Sequence, residues 1–190
     1  MTLLRTEGLA IVRGGRLLLE GLDLAVAGGD AVHLTGPNGA GKSSLLRCLA
    51  GLLAPAAGRV ERLTALALAD DRLPLDAELP LRRALEFWAA VDPQPTVLSD
   101  ALIQVGLHPL ADVPVRLFSS GQQKRAALGL VAMSNAPMWL LDEPLNALDE
   151  DGRQRLEVMI AAHRASGGGV IAASHLPLGG TGWRELALGR

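Results

Sequence analysis

The sequence predicts an α/β domain on a mostly parallel core sheet, with a small N-terminal antiparallel β subdomain and a helical insert. Three observations carry that expectation. Short apolar runs at 31–35, 65–69, 138–141 and 170–173 have the length and composition of buried strands, and segments of helical periodicity separate them. Before them, β-like pieces at 9–12, 17–19 and 22–26 alternate with the Gly14-Gly15 and Gly28-Gly29 turns, the pattern of a small antiparallel sheet. Between about 79 and 118 there is no strand pattern, only helix-like stretches at 81–90 and 96–105 separated by Pro93 and Pro95.

At 190 residues with 49% hydrophobic side chains, the chain fits one globular domain with a substantial core, taken here as 1–190. The formal charge of -2 is spread along the chain without a basic block, so direct nucleic-acid binding is not expected. Cys48 is the single cysteine and forms no intrachain disulfide. No stretch is apolar and long enough for a membrane span, because Gly51 and Pro55 break the longest candidate, so a cytosolic location is expected and any membrane role goes through a partner. Arginine supplies nearly all the basic charge, leaving Lys42 and Lys124 as two lysines that each need a reason. The glycines at 167, 168 and 169 are expected to form a short flexible connection.

The reason for Lys42 lies in Gly36-Pro37-Asn38-Gly39-Ala40-Gly41-Lys42-Ser43, followed by Ser44. This run matches G-x-x-x-x-G-K-[ST] between a predicted strand and a helix whose apolar positions include Leu45, Leu46 and Leu49. Glycines there let backbone N–H groups turn inward around phosphate oxygens, and the helix N-terminus adds partial positive charge. Lys42 is placed to reach the β- and γ-phosphates, and the Ser43 hydroxyl to ligate Mg²⁺. The motif by itself indicates nucleotide binding and no particular reaction.

Two acids, Asp142 and Glu143, end the apolar run at 138–141, at the edge where open α/β sheets bind ligands. Asp142 is a candidate Mg²⁺ holder, and Glu143 is placed to polarise a water attacking the γ-phosphate. Phe118-Ser119-Ser120-Gly121-Gln122 precedes a further helix, which Ser119 is suited to cap, and Gly121 allows close backbone approach. His33, on a strand, is expected to be a satisfied buried imidazole.

With these motifs in this order, the chain resembles ABC-type ATPases of the P-loop NTPase class. Residues 118–122 look like that family's LSGGQ signature, with Phe118 and Ser120 departing from the commonest residues. The resemblance implies ATP and Mg²⁺ as cofactors and a head-to-tail dimer of two copies, in which each ATP lies between the phosphate loop of one copy and Ser119, Gly121 and Gln122 of the other. It further implies that Asn146 to Asp149 forms the loop crossing the interface, and that His175, after the strand at 170–174, is the switch histidine contacting the γ-phosphate. Catalytic roles thus fall on Lys42, Glu143 and His175.

Two positions depart from the family pattern. Where the family usually has a glutamine near the metal, this chain reads Asp70-Asp71, with Asp71, or Asp70 after a one-residue slip, as a metal candidate. The aromatic residue that commonly stacks on adenine is missing from the first sheet, and Arg13 is the candidate substitute.

Finer features, including Gln122-Gln123-Lys124-Arg125 and Ser174-His175-Leu176-Pro177-Leu178, resemble the haem-exporter ATPase subunits of bacterial cytochrome c biogenesis. That implies integral membrane transporter subunits as partners, a position on the cytoplasmic face of the inner membrane, and coupling of hydrolysis to release of a haem-loaded chaperone. No Cys-x-x-Cys-His is present, so direct haem binding is not expected. Alternatives of other classes are an ATPase subunit for another small cargo, a soluble cassette acting on ribosomes or DNA, and a nucleotide-gated structural subunit with little hydrolysis.

Overall fold

The computed structural model describes residues 1–91 and 98–189. Two long strands open it, β1 (Thr2–Arg13) and β2 (Arg16–Ala27), paired antiparallel through a two-residue turn. Gly14 and Gly15 in that turn both have positive φ, 58° and 75°, the conformation that a tight hairpin matching strand twist requires. The three expected β pieces are therefore two strands. The piece at 17–19 continues into 22–26 across a register irregularity opposite Leu9 and Ile11, with Gly21 in the left-handed region.

The chain then enters β3 (Ala31–Thr35), turns into α1 (Lys42–Leu49), and returns as β4 (Ala57–Arg62), which pairs with the free edge of β1. Strand β4 was not expected because its sequence, AGRVER, is half exposed and polar, with no buried apolar run to mark it. The antiparallel sheet has the order β2-β1-β4.

Next come β5 (Leu66–Ala69), the insert helices α2 (Leu81–Val91) and α3 (Leu98–Gln104), α4 (Ser120–Met133), β6 (Met138–Asp142), α5 (Glu150–Ala165), β7 (Gly169–Ala173) and β8 (Trp183–Ala187). Pro93, Pro95 and the start of the expected second insert helix lie outside the described residues. Strands β5-β6-β7-β3-β8 form one five-stranded sheet, all parallel. Strand β8 escaped the sequence pattern for the same reason as β4: it is an edge strand with exposed Arg184 and Glu185.

Pleating sorts the central strands between two apolar layers. Met138, Leu140, Ile171 and Ala173 face α1 and the antiparallel sheet, packing with Leu4, Ile11, Leu45 and Leu49. Trp139, Leu141, Val170 and Ala172 face α4, α5 and the insert, packing with Leu81, Leu102, Leu128 and Leu156. Both faces being covered explains why β6 and β7 are apolar without alternation.

The triple glycine is a closed turn rather than a flexible connection. Gly167, at φ 90°, donates to Arg164 O at 3.0 Å and Gly168 to His163 O at 2.9 Å, the paired bonds of a Schellman cap on α5. The absent side chain of Gly168 leaves room for the His163 ring, which stacks on Trp139 with centroids 3.8 Å apart. His33 is half-buried rather than buried, because β3 neighbours the edge strand β8. Its Nε2 still finds Ser174 O at 3.0 Å, and its ring meets the edge of Trp183.

Leu140 is fully buried at the centre of the sheet. Replacing it with alanine should cost about 3 kcal/mol, lowering the thermal midpoint by about 6–12 °C; calorimetry or circular dichroism would read the shift.

Candidate nucleotide site

The loop after β3 is shaped by glycine. Gly36 has φ 134°, and a Cβ there would come within 2.4 Å of Leu188 O, which follows β8 and whose N–H bonds to Thr35 O at 2.9 Å. Gly39 and Gly41 also have positive φ. Gly41 caps α1 with no side-chain acceptor, and the first turn contains no acid, so the first N–H groups of the helix remain open donors. That is an anion cradle. Lys42, only 7% exposed, folds back over the loop and donates to Gly36 O at 2.7 Å and Pro37 O at 3.3 Å.

Ser43 lies next to the end of β6. Asp142 is 8% exposed and its Oδ1 has no hydrogen-bond partner. Burial pushes its carboxyl up, the Ser43 hydroxyl pulls it down, and the Glu143 charge pushes it up again. An orphaned carboxylate oxygen beside a hydroxyl is a hard-oxygen donor set that fits Mg²⁺, which takes one or two protein carboxylates and completes its shell with phosphate and water. No group of three or more His, Cys, Asp or Glu side chains suited to a metal occurs among the described residues.

Glu143 has φ 45°, a left-handed backbone that a non-glycine residue adopts only when its surroundings enforce it. Its N–H is held by Ala173 O of β7 at 2.8 Å. The side chain thereby meets the residue just past β7: His175 Nδ1 donates to Glu143 Oε2 at 2.9 Å. Two candidates 32 residues apart are thus in direct contact.

Ser119 caps α4 as expected. It accepts from Gln122 N at 3.3 Å while the Gln122 side chain accepts from Ser119 N at 2.9 Å, a reciprocal capping box. A Cβ on Gly121 would lie 2.6 Å from Ala147 O, so the glycine lets the signature turn rest on the Asn146–Asp149 loop. Asp149 caps α5 through Gly152 N at 2.9 Å and also accepts from Arg125 of α4; the Gly152 N–H and then the Arg125 guanidinium hold its carboxyl below the usual range.

The family model described as ABC transporter matches residues 19–146. The chain belongs to the ABC transporter family. As a member it is an ATP-hydrolysing subunit with a nucleotide-binding fold. It is 53% identical over 188 residues to the cytochrome c biogenesis ATP-binding export protein CcmA of Sphingopyxis alaskensis, covering 98% of this chain and 97% of that protein. The protein of the same name from Novosphingobium aromaticivorans is 53% identical over 180 residues, 95% of this chain and 92% of that one. Among solved structures, an ATP-binding subunit of an ABC transporter superposes with a TM-score of 0.84 at 23% identity, covering 92% of this chain and 80% of that chain. A post-hydrolysis dimer of an ATP-binding cassette bound to ADP and Pi superposes at 0.80 and 19% identity, covering 91% and 88%.

Within this ABC ATPase, Ser43, Asp71, Asp142 and Glu143 line one cleft of about 550 Å³, together with Arg47, Asp70, Lys124 and Asn146. Lys42, His175 and Arg13 lie outside its lining, as do Ser119, Gln122 and Asp149 of the expected partner-facing surface. Arg13 sits by the first turn of α1, with Nη1 3.4 Å from Ser44 Oγ. Asp70 and Asp71 both meet Arg47, whose Nε and Nη2 donate to Asp70 Oδ2 at 3.2 and 3.0 Å and whose Nη2 also donates to Asp71 Oδ1 at 2.8 Å. Asp71 is 78% exposed in its side chain and Asp70 11%. Arg47 was missed in the sequence, although it stands four residues after Ser43 on the same helical face, a spacing that signals proximity. No helix among the described residues is long and apolar enough to cross a membrane.

Proposed function

We propose that this subunit binds Mg-ATP at the loop Gly36–Ser44 and powers a haem exporter of bacterial cytochrome c biogenesis. The Glu143–His175 contact carries the chemical part of the proposal. Glu143 polarises the attacking water at the end of β6, and His175, held by the same carboxylate, faces the γ-phosphate. Open N–H donors at the start of α1 receive the phosphates, and Lys42 leaves its loop carbonyls to meet the β- and γ-phosphates. Ser43 and Asp142 hold Mg²⁺, with Asp71 within reach once Arg47 releases it. Bound there, Mg²⁺ neutralises charge on the phosphate oxygens.

Each site is completed by a second copy, head to tail, whose exposed Ser119 and half-buried Gly121 and Gln122 close on the nucleotide and whose Asp149 loop lies along the seam. Arg13 stacks on the base. The relatives' names, cytochrome c biogenesis ATP-binding export protein, support an exporter serving cytochrome c biogenesis; haem is the proposed cargo, and the ATPase works with membrane subunits on the cytoplasmic face of the inner membrane.

Glu143→Gln should retain Mg-ATP while cutting phosphate release at least about a hundredfold, and undiminished release would remove Glu143 from its role. Deleting the gene should abolish cytochrome c maturation, restored by wild type and not by Glu143→Gln. Normal maturation in the deletion strain would instead favour another small cargo.

A further inference from the structure

The chain has two lysines, and only Lys42 has been given a function. Lys124 stands in the second turn of α4, half-buried, and its Nζ donates to the main-chain oxygen of Asp142 at 3.2 Å. It lines the cleft that also contains Asp70, Asp71, Asp142 and Glu143. Among the described residues lining that cleft, the cations are Arg47 and Lys124. Arg47 is committed, with two bonds to Asp70 and one to Asp71. Lys124 instead bonds to a carbonyl, leaving two ammonium protons and an unpaired positive charge for the cleft.

Four carboxylates against two cations leave the cleft at -2 when all are ionised, and two of those acids, the half-buried Asp70 and the exposed Asp71, directly follow β5. A triphosphate approaching Ser43 therefore meets repulsion that its metal offsets only in part. We propose that Lys124 is a positioning residue of the nucleotide site, which holds the end of β6 through the Asp142 carbonyl and offsets the charge that Asp70 and Asp71 bring to the cleft. A lysine suits both tasks, because its compact ammonium turns three donors around one point and can face the Asp142 carbonyl and the cleft together. The proposal rests on the Mg-ATP site described above.

The test is equilibrium binding of Mg-ATP to the full chain, by calorimetry or filter retention, in four proteins: wild type, Lys124→Gln, Asp71→Asn and the double variant. Lys124→Gln should weaken binding about tenfold, the size expected for losing one charge-assisted contact. Asp71→Asn should change affinity at least about threefold more favourably in the Lys124→Gln background than in the wild-type background, because the charge it removes is uncompensated only in the former. A role in packing alone predicts the same Asp71→Asn factor in both backgrounds, and that result, or Lys124→Gln within about twofold of wild type, would overturn the proposal. Should Lys124→Gln fail to fold, Lys124→Arg serves: it keeps the charge and should bind within about threefold of wild type, whereas a tenfold loss would contradict charge compensation. Wild type that binds no Mg-ATP would defeat the nucleotide site itself; wild type that binds, with the factors unchanged between backgrounds, defeats only the role of Lys124.

Discussion

Parallel pairing of β3 with β7, and of β7 with β6, decides where the phosphate loop, the acidic pair and His175 lie. Val32 pairs with Ile171 and Leu34 with Ala173, while Leu140 pairs with Ile171 and Asp142 with Ala173. With those registers fixed, the strands ending in the phosphate loop, the acidic pair and His175 all finish at one edge of the sheet. The N–H of Glu143 bonding to Ala173 O continues the ladder one step beyond β6 and holds Glu143 in its left-handed conformation. Side chains facing away from each other along one strand are buried by two separate layers, so the register is enforced from both sides.

Charge at this edge is arranged on the same scaffold. Helix α1 presents Ser43 and Arg47 from successive turns, and α4 brings Lys124 against the main chain of Asp142. The buried Asp142 carboxyl keeps one oxygen without a partner, a cost tolerated where a ligand supplies the missing contact. The N-terminus of α1, uncapped by any side chain, leaves its donors open at this edge. The antiparallel sheet contributes Arg13 and otherwise packs over α1, so its principal effect on the site is to bury Leu45 and Leu49 beneath the cradle.

Much of this was legible in the sequence where local constraints dominate. The loop at 36–43 reads correctly because glycine torsions and a helix start determine it within a few residues, and the Ser119–Gln122 capping box is equally local. Buried parallel strands announce themselves as apolar runs. The edge strands β4 and β8 do not, since their half-exposed polar sequences resemble loops. Contacts made by topology were also hidden. The aspartates at 70 and 71 gave no sign of Arg47, which approaches from α1 across the sheet edge, and the meeting of Glu143 with His175 depends on β6 and β7 being neighbours. Three glycines in a row read as a flexible link, whereas the His163–Trp139 stack and the Schellman bonds close them into a turn.

In the proposed dimer one copy holds half of an ATP site, with the phosphate loop and the signature turn facing different nucleotides. Sedimentation velocity on Glu143→Gln, with and without Mg-ATP, tests it most directly. A monomer that becomes a dimer only on adding Mg-ATP is the predicted result, with ATP acting as the bridge between two incomplete sites. A species that stays monomeric while saturated with ATP would contradict the composite site.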